Sequence, residues 1–164
     1  MIETISLGTV LIPFVILVFA GVFYQIQKQN RREGPLRRDV LAQPIVFRSS
    51  MPMKINGPLG WSMKTLAGME IVVTSFGVGA RIRFLGLSDV IGAQYWAKSS
   101  ELRAHIEKIV VSPWSSSGDW IVLSCQNPNR RFDVAVLAGA QQSALIRALC
   151  DTGVAFSLGG TTSP

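Results

Sequence analysis

The first apolar run along the chain is long enough to cross a membrane. No charged side chain occurs between Thr4 and Gln27, and the segment TISLGTVLIPFVILVFAGVFYQI consists mainly of Leu, Ile, Val and Phe. At about 1.5 Å per residue, a helix of this length covers the roughly 30 Å hydrocarbon core of a bilayer. The pattern predicts one transmembrane helix over residues 4–26, in which Pro13 is tolerated.

The charges on either side of this span predict its orientation. Only Met1, Ile2 and Glu3 precede it, and five cations follow it: Lys28, Arg31, Arg32, Arg37 and Arg38. The positive-inside rule therefore predicts a single-pass protein of the cell membrane with its N-terminus outside and its C-terminal domain in the cytoplasm. A cleaved signal peptide, the alternative, would carry its positive charge before the apolar run and a small-residue cleavage site after it.

Residues 27–44 form a polar, basic juxtamembrane segment. Gly34-Pro35 and Pro44 interrupt it, which predicts a linker in place of one continuous helix. Its five cations outnumber its two carboxylates, so the linker is a candidate for contact with anionic lipid. The alternative is that these charges only set the topology.

After Pro44 the pattern changes to short apolar runs with β-branched residues, separated by Gly, Pro and Ser. This pattern predicts a domain over residues 45–157 that is mostly β. The predicted strands cover residues 45–48, 63–66, 69–76, 80–85, 90–97, 105–111, 120–126 and 132–137.

Short connections predict that several of these strands are antiparallel neighbours. The connections are Gly77-Val78-Gly79, residues 115–119 (SSSGD) and Asn127-Pro128-Asn129. In the last strand Phe132, Val134 and Val136 alternate with Asp133 and Ala135, which predicts that one face is buried.

The final segment changes to a helical period. Apolar or small residues recur at three- and four-residue steps from Ala138 through Leu145 to Leu149, which predicts an amphipathic helix over about residues 140–152. Gly153 is expected to end this helix, and residues 158–164 are expected to be a flexible tail. Because the core is assigned to later residues, a fragment beginning near Ala42 is expected to fold without the span.

About seven antiparallel strands closed by one helix is an order of elements that resembles the pleckstrin-homology-like (PH-like) domains of bacterial membrane proteins. The segment MEIVVTSFGVGARIRFLGLSDVIGA (residues 69–93) looks like their early strands, and WIVLS (residues 120–124) with the closing helix looks like their last elements. The resemblance covers about residues 50–157. It implies an antiparallel β-barrel or sandwich capped by a C-terminal α-helix.

No motif of a known catalytic chemistry occurs, and the ten acidic residues are scattered. His105 and Glu107 share one face of a predicted strand, where a solvated contact is the simpler interpretation. Cys125 and Cys150 form no metal-ligand spacing and are expected to be buried thiols. The sequence therefore predicts a protein that is not an enzyme and has no catalytic residue, metal or cofactor.

The basic residues of the domain are candidates for contact with anions. Arg81 and Arg83 share one face of a strand, and together with Lys64 they follow the order of the phosphoinositide-binding residues in PH domains, although the interval is longer here. The alternative is a solvated strand face, and Arg130 and Arg131 are expected to be surface charges of a hairpin turn.

Trp114, between Pro113 and a serine-rich turn, is a further candidate contact, for a protein partner or a membrane. Nucleic acid is not expected, because the basic residues are spread through several elements and no pattern of stacking aromatics occurs.

These observations predict a membrane-tethered, non-enzymatic PH-like scaffold or adaptor. Its expected partners are the lipid bilayer and a protein of unknown identity. Two alternatives remain open, namely an accessory subunit of a larger membrane complex and a sensor of anionic lipid headgroups.

Overall fold

The computed structural model describes residues 7–56, 63–65, 69–82, 93–109 and 118–157. A 35-residue helix, α1 (Leu7–Leu41), comes first. The ten strands of these ranges are β1 (Ile45–Ser50), β2 (Met53–Asn56), β3 (Met63–Thr65), β4 (Met69–Thr74), β5 (Gly77–Ile82), β6 (Gln94–Lys98), β7 (Leu102–Ile109), β8 (Gly118–Cys125), β9 (Asp133–Val136) and β10 (Ala155–Ser157). A second helix, α2 (Gln142–Asp151), lies between β9 and β10.

The strands form two sheets. Sheet A has the order β1-β4-β5-β6, and sheet B has the order β10-β7-β8-β9-β2-β3. All pairings are antiparallel except that of β10 with β7. The chain passes from sheet A to sheet B at Met51-Pro52. In the described part of the chain no strand pairing joins the two sheets, so they are separate layers and not a closed barrel.

One hydrophobic core lies between the sheets. Alternate residues of each strand contribute to it, for example Ile71 and Val73 of β4 and Ile121 and Leu123 of β8. In the last antiparallel pair Phe132, Val134 and Val136 are buried in this core as the alternation predicts.

Helix α2 packs against the same core. Leu145 and Leu149 are fully buried, and Arg147 is exposed. Gly153 has a φ of +79°, and it donates its N–H to the carbonyl of Cys150 while Val154 donates to that of Leu149. This is a Schellman motif, in which glycine accepts the left-handed conformation at little cost. The predicted helix and its end are confirmed.

All eight predicted strands are present in the described residues with shifted ends, and two short strands, β2 and β10, were missed. The predicted Gly77–Gly79 turn is wrong: both glycines belong to β5, and the turn is at Ser75-Phe76, where Thr74 Oγ1 accepts the N–H of Gly77 at 3.2 Å. Gly79 lies opposite Trp96 of β6, whose ring occupies the place where a Cβ would be. Packing, and not turn geometry, requires glycine there.

The expected break of the first helix at Gly34-Pro35 is also wrong, because α1 continues to Leu41. Pro35 lies on the exposed side, as does Arg31, whose carbonyl loses its helical donor. Water can replace that donor. The opposite side of the same turns is buried against sheet A, so tertiary packing outweighs the local penalty of about 3 kcal/mol for an internal proline.

Candidate functional site

The C-terminal third of α1 packs on the β5–β6 edge of sheet A. Gln29, Glu33, Leu36 and Val40 recur at three- and four-residue steps, and all four are buried. Leu36 and Val40 form a small cluster with Trp96, which has no exposed surface. The helix that begins in the apolar segment therefore ends as part of the folded domain.

Polar side chains of α1 also cap the free edge of sheet A. Strand β6 is the last strand of this sheet, so the N–H groups on its outer side have no neighbouring strand. The N–H of Gln94 donates to Asn30 Oδ1 and that of Trp96 to Glu33 Oε2, each at 3.2 Å. The third outward N–H, of Lys98, donates to Glu101 Oε2 at 3.3 Å. These contacts block the addition of another strand at β6.

Glu33 is the most deeply buried carboxyl group of this junction, with 2% of its surface exposed. Burial raises its pKa above the usual value of 4.5, although the N–H of Trp96 and the charges of Arg130 and Arg32 act in the opposite direction. The amide of Gln29 lies 3.5 Å from its other oxygen. Glu33 thus joins α1 to β6 at the cost of desolvating a carboxylate.

The predicted juxtamembrane cations lie on the remaining faces of α1. Lys28, Arg31, Arg32 and Arg38 are exposed, and Arg37 is half-buried. A shallow depression of about 330 Å³ is formed by Lys28, Arg31 and Arg32 with Tyr24 and Gln27. The cations therefore form a ridge on a helix that is fixed to the domain, and not a flexible linker.

The candidate anion ligands Lys64, Arg81 and Arg83 are described only in part. Lys64 belongs to β3 of sheet B and Arg81 to β5 of sheet A, whereas Arg83 lies outside those residues, as does Trp114. The side chain of Arg81 is only 13% exposed and pairs with Glu70 at 2.5 Å, where Arg48 approaches the other carboxylate oxygen at 2.6 Å.

The cluster of Arg48, Glu70 and Arg81 joins three strands of sheet A. Burial by itself raises the pKa of Glu70, but the hydrogen bonds and charges of Arg48 and Arg81 outweigh it, so the pKa lies below 4.5. Residues 48, 70 and 81 are on adjacent strands β1, β4 and β5. The charge of Arg81 is therefore paired with Glu70 within sheet A.

The outer face of sheet B carries the pair of His105 and Glu107, whose Nε2 and Oε2 atoms are 3.7 Å apart. Both side chains are at least one-third exposed, which agrees with a solvated contact. A cavity of about 450 Å³ beside them is also lined by Lys54 and Asp133. Ser124 lines it as well, and its charges are mixed in sign.

A larger cavity of about 740 Å³ lies between α1 and the β8–β9 connection. Its charged lining residues are Arg32, Glu33, Arg130, Arg131 and Asp133. The sequence interpretation assigned Arg130 and Arg131 to a hairpin turn, which is where they lie, but it missed their proximity to Arg32. The docking of α1 on β6 brings these distant parts of the sequence together.

Hydrogen bonds hold the β8–β9 connection in shape. Asn127 Oδ1 accepts the N–H of Asn129 at 3.0 Å, and Asn127 Nδ2 donates to Glu101 Oε1 at 2.8 Å. Arg130 lies 3.6 Å from the same carboxylate oxygen. The arginines of this connection are thus presented by an ordered turn.

Both cysteines are free thiols. Cys125 is buried, and burial raises its pKa, whereas Cys150 is exposed, so the expectation of two buried thiols is wrong for Cys150. A raised pKa lowers the thiolate fraction of Cys125 and gives it no activated character.

Comparison of the sequence with protein-family models finds no match. Comparison with curated protein sequences likewise finds no match.

Proposed function

We propose that this chain is a membrane-anchored, non-enzymatic interaction module. Helix α1 is the anchor, and the β domain is a PH-like scaffold or adaptor that receives a protein partner at the cytoplasmic face of the cell membrane. The PH-like assignment is supported by the sequence resemblance and by the combination of two sheets with a C-terminal helix packed on their core.

The continuity of α1 carries this proposal. The described part of the chain contains one helix that is long and apolar enough to span a membrane. No described side chain of its apolar segment is buried in the folded protein, which is unlike the core helix of a soluble domain. The same helix then docks on β6 without a break, so the domain would be held at one height and in one orientation relative to the bilayer.

A fixed orientation favours an adaptor over a freely tethered domain. A flexible linker lets a domain sample many directions, whereas a docked helix presents the same faces to the cytoplasm at all times. The capped edge of β6 is unavailable for strand addition. The partner surface is therefore expected away from the α1 junction, on the outer face of sheet B or at α2.

Two experiments test the proposal. Impermeant thiol reagents applied to intact cells should not modify a cysteine introduced at Ser163, in a chain whose Cys125 and Cys150 are replaced by Ala. Modification of that cysteine would overturn the orientation.

Photocrosslinking in native membranes tests the role of adaptor. A photoreactive residue at Arg103 or Arg147 on the domain should form an adduct with a defined protein, and one at Leu17 in the span should form mainly lipid adducts. Protein adducts from Leu17 alone would favour an accessory subunit of a larger complex. Protein adducts from neither site would contradict both roles.

A further inference from the structure

The cavity between α1 and the β8–β9 connection has the features of a phosphate site. We propose that it binds the phosphate of an anionic lipid headgroup, with Arg32, Arg130 and Arg131 as its ligands. This inference rests on the proposed anchor, because the membrane supplies the lipid. Its volume of about 740 Å³ is within the range of small-molecule sites.

The charge of the cavity favours an anion. Three guanidinium groups from two separate elements line it, against the carboxylates of Glu33 and Asp133. Glu33 is engaged by the N–H of Trp96, and Arg130 lies 3.6 Å from Glu101. In the described ranges no carboxylate is within ion-pair distance of Arg32 or Arg131, so their planar donor groups can bind phosphate oxygens in pairs.

The cavity also offers neutral donors. The amides of Gln29, Asn56, Gln126 and Asn129 line it beside the arginines. A phosphate monoester or diester has several oxygens, and such amides can complete the hydrogen bonds that the guanidinium groups leave open. The mixture suits a charged headgroup better than an apolar ligand.

The position along α1 places the cavity at the outer boundary of the headgroup layer. If the hydrocarbon span ends at Ile26, Gln29 lies about 4.5 Å further along the helix axis, within a headgroup layer that is roughly 5–7 Å thick. Arg32 lies about 9 Å along the axis, just beyond that layer, and its long side chain can reach back toward the headgroups. Arg32 also lines the shallow depression that contains Lys28 and Arg31. A basic surface therefore continues from the end of the span to the cavity.

The test uses the full chain in a mild uncharged detergent. Phosphatidylglycerol, phosphatidylcholine and inorganic phosphate are titrated separately, and bound species are counted by native mass spectrometry. We expect phosphatidylglycerol to bind more tightly than phosphatidylcholine. Arg32→Gln and Arg131→Gln should each weaken its binding about 10-fold or more, since a hydrogen bond to a charged group is worth roughly that factor. The affinity of the Arg131→Lys variant for phosphatidylglycerol should lie between the affinities of the two Gln variants and that of the unaltered chain.

Matched control variants distinguish binding at a specific site from a general effect of positive charge. Arg103→Gln and Arg147→Gln remove the same charge at exposed positions outside the cavity and should leave lipid binding unchanged. If inorganic phosphate binds as tightly as phosphatidylglycerol, the cavity is still a phosphate site, but its ligand is free phosphate and not a lipid headgroup. Equal effects of all four Gln variants, or no effect of Arg32→Gln and Arg131→Gln, would overturn the proposal.

A separate experiment tests the membrane anchor. After membranes are extracted with alkaline carbonate, the unaltered chain and both cavity variants should remain in the membrane pellet. Release of the unaltered chain would overturn the anchor together with the lipid site, whereas retention without selective lipid binding would overturn the cavity site alone.

Discussion

At the scale of single residues, Glu33 combines a structural benefit with an electrostatic cost. Its carboxylate accepts the N–H of Trp96 at the edge of sheet A, but its burial disfavours the charged form. Because the pKa of Glu33 is raised on folding, its contribution to stability is largest below pH 4.5 and declines as the pH rises through the raised value. The Arg48–Glu70–Arg81 cluster acts in the opposite direction, since the pKa of Glu70 is lowered and its stabilisation is lost in acid.

Replacing Glu33 with Gln separates these two effects. Glutamine keeps an oxygen that can accept the N–H of Trp96 and removes the buried charge. We expect the Glu33→Gln variant to show a smaller loss of stability than the unaltered chain as the pH rises above 4.5. Thermal melts of the full chain in detergent from acid to neutral pH measure this. Asp151→Asn, an exposed change, is the control, and an unaltered pH dependence in Glu33→Gln would contradict the assignment.

At the scale of elements, α2 is a stability element whose exposed and buried faces make distinct predictions. Leu145→Ala and Leu149→Ala each remove a fully buried side chain and leave a cavity, which should lower the free energy of unfolding by about 2–5 kcal/mol. Arg147→Ala should change it by no more than about 0.5 kcal/mol, because Arg147 is exposed. Denaturant titrations of the three variants provide the comparison. Equal losses of stability in all three variants would mean that α2 packs on the core with a different face.

The docking of α1 changes the expectation for soluble fragments. A fragment beginning at Ala42 lacks Leu36, Val40 and the side chains that cap β6, and so exposes Trp96 and two edge N–H groups. We expect residues 28–157 to be monomeric and more stable than residues 42–157, which should aggregate through the open edge. Size-exclusion chromatography and thermal melts of both fragments test this. Equal stability and equal monomer content would show that α1 contributes nothing to the domain.

The elements also show what the sequence predicts and what it does not. Local signals were sufficient for the apolar span, for α2 with Gly153, and for the strands around Ile71 and Ile121, because each has a regular period of its own. The break at Pro35 was wrong because a buried face elsewhere on the same helix turns outweighs the proline. Gly79 was assigned to a turn because its real constraint, the ring of Trp96, lies in another strand.

The candidate site could be predicted only in part, for the same reason. The juxtamembrane cations are evident from composition, but the cavity depends on the proximity of Arg32 to a connection almost one hundred residues later. Arg81, a candidate anion ligand in the sequence, pairs with Glu70 because the register of β4 and β5 places the two residues side by side. Neither the register nor the course of α1 is encoded in a local motif.

At the scale of the whole molecule, the proposed function requires that the apolar half of α1 and the β domain are parts of one rigid body. No described side chain in the apolar half of α1 is buried, and one face of its C-terminal third is buried against sheet A. A protein built in this way would transmit the position of its membrane anchor to the faces that a partner meets. A flexible tether would transmit only proximity.

The distance between two spin labels, one at Tyr24 on the span and one at Arg147 on α2, tests this claim most directly. Both positions are exposed. The full chain, with Cys125 and Cys150 replaced by Ala, is measured in lipid nanodiscs by double electron–electron resonance. We predict a single narrow distance distribution, which broadens when Leu36→Asp and Val40→Asp open the junction. A broad distribution in the chain with Leu36 and Val40 intact would contradict a rigid junction between α1 and the β domain.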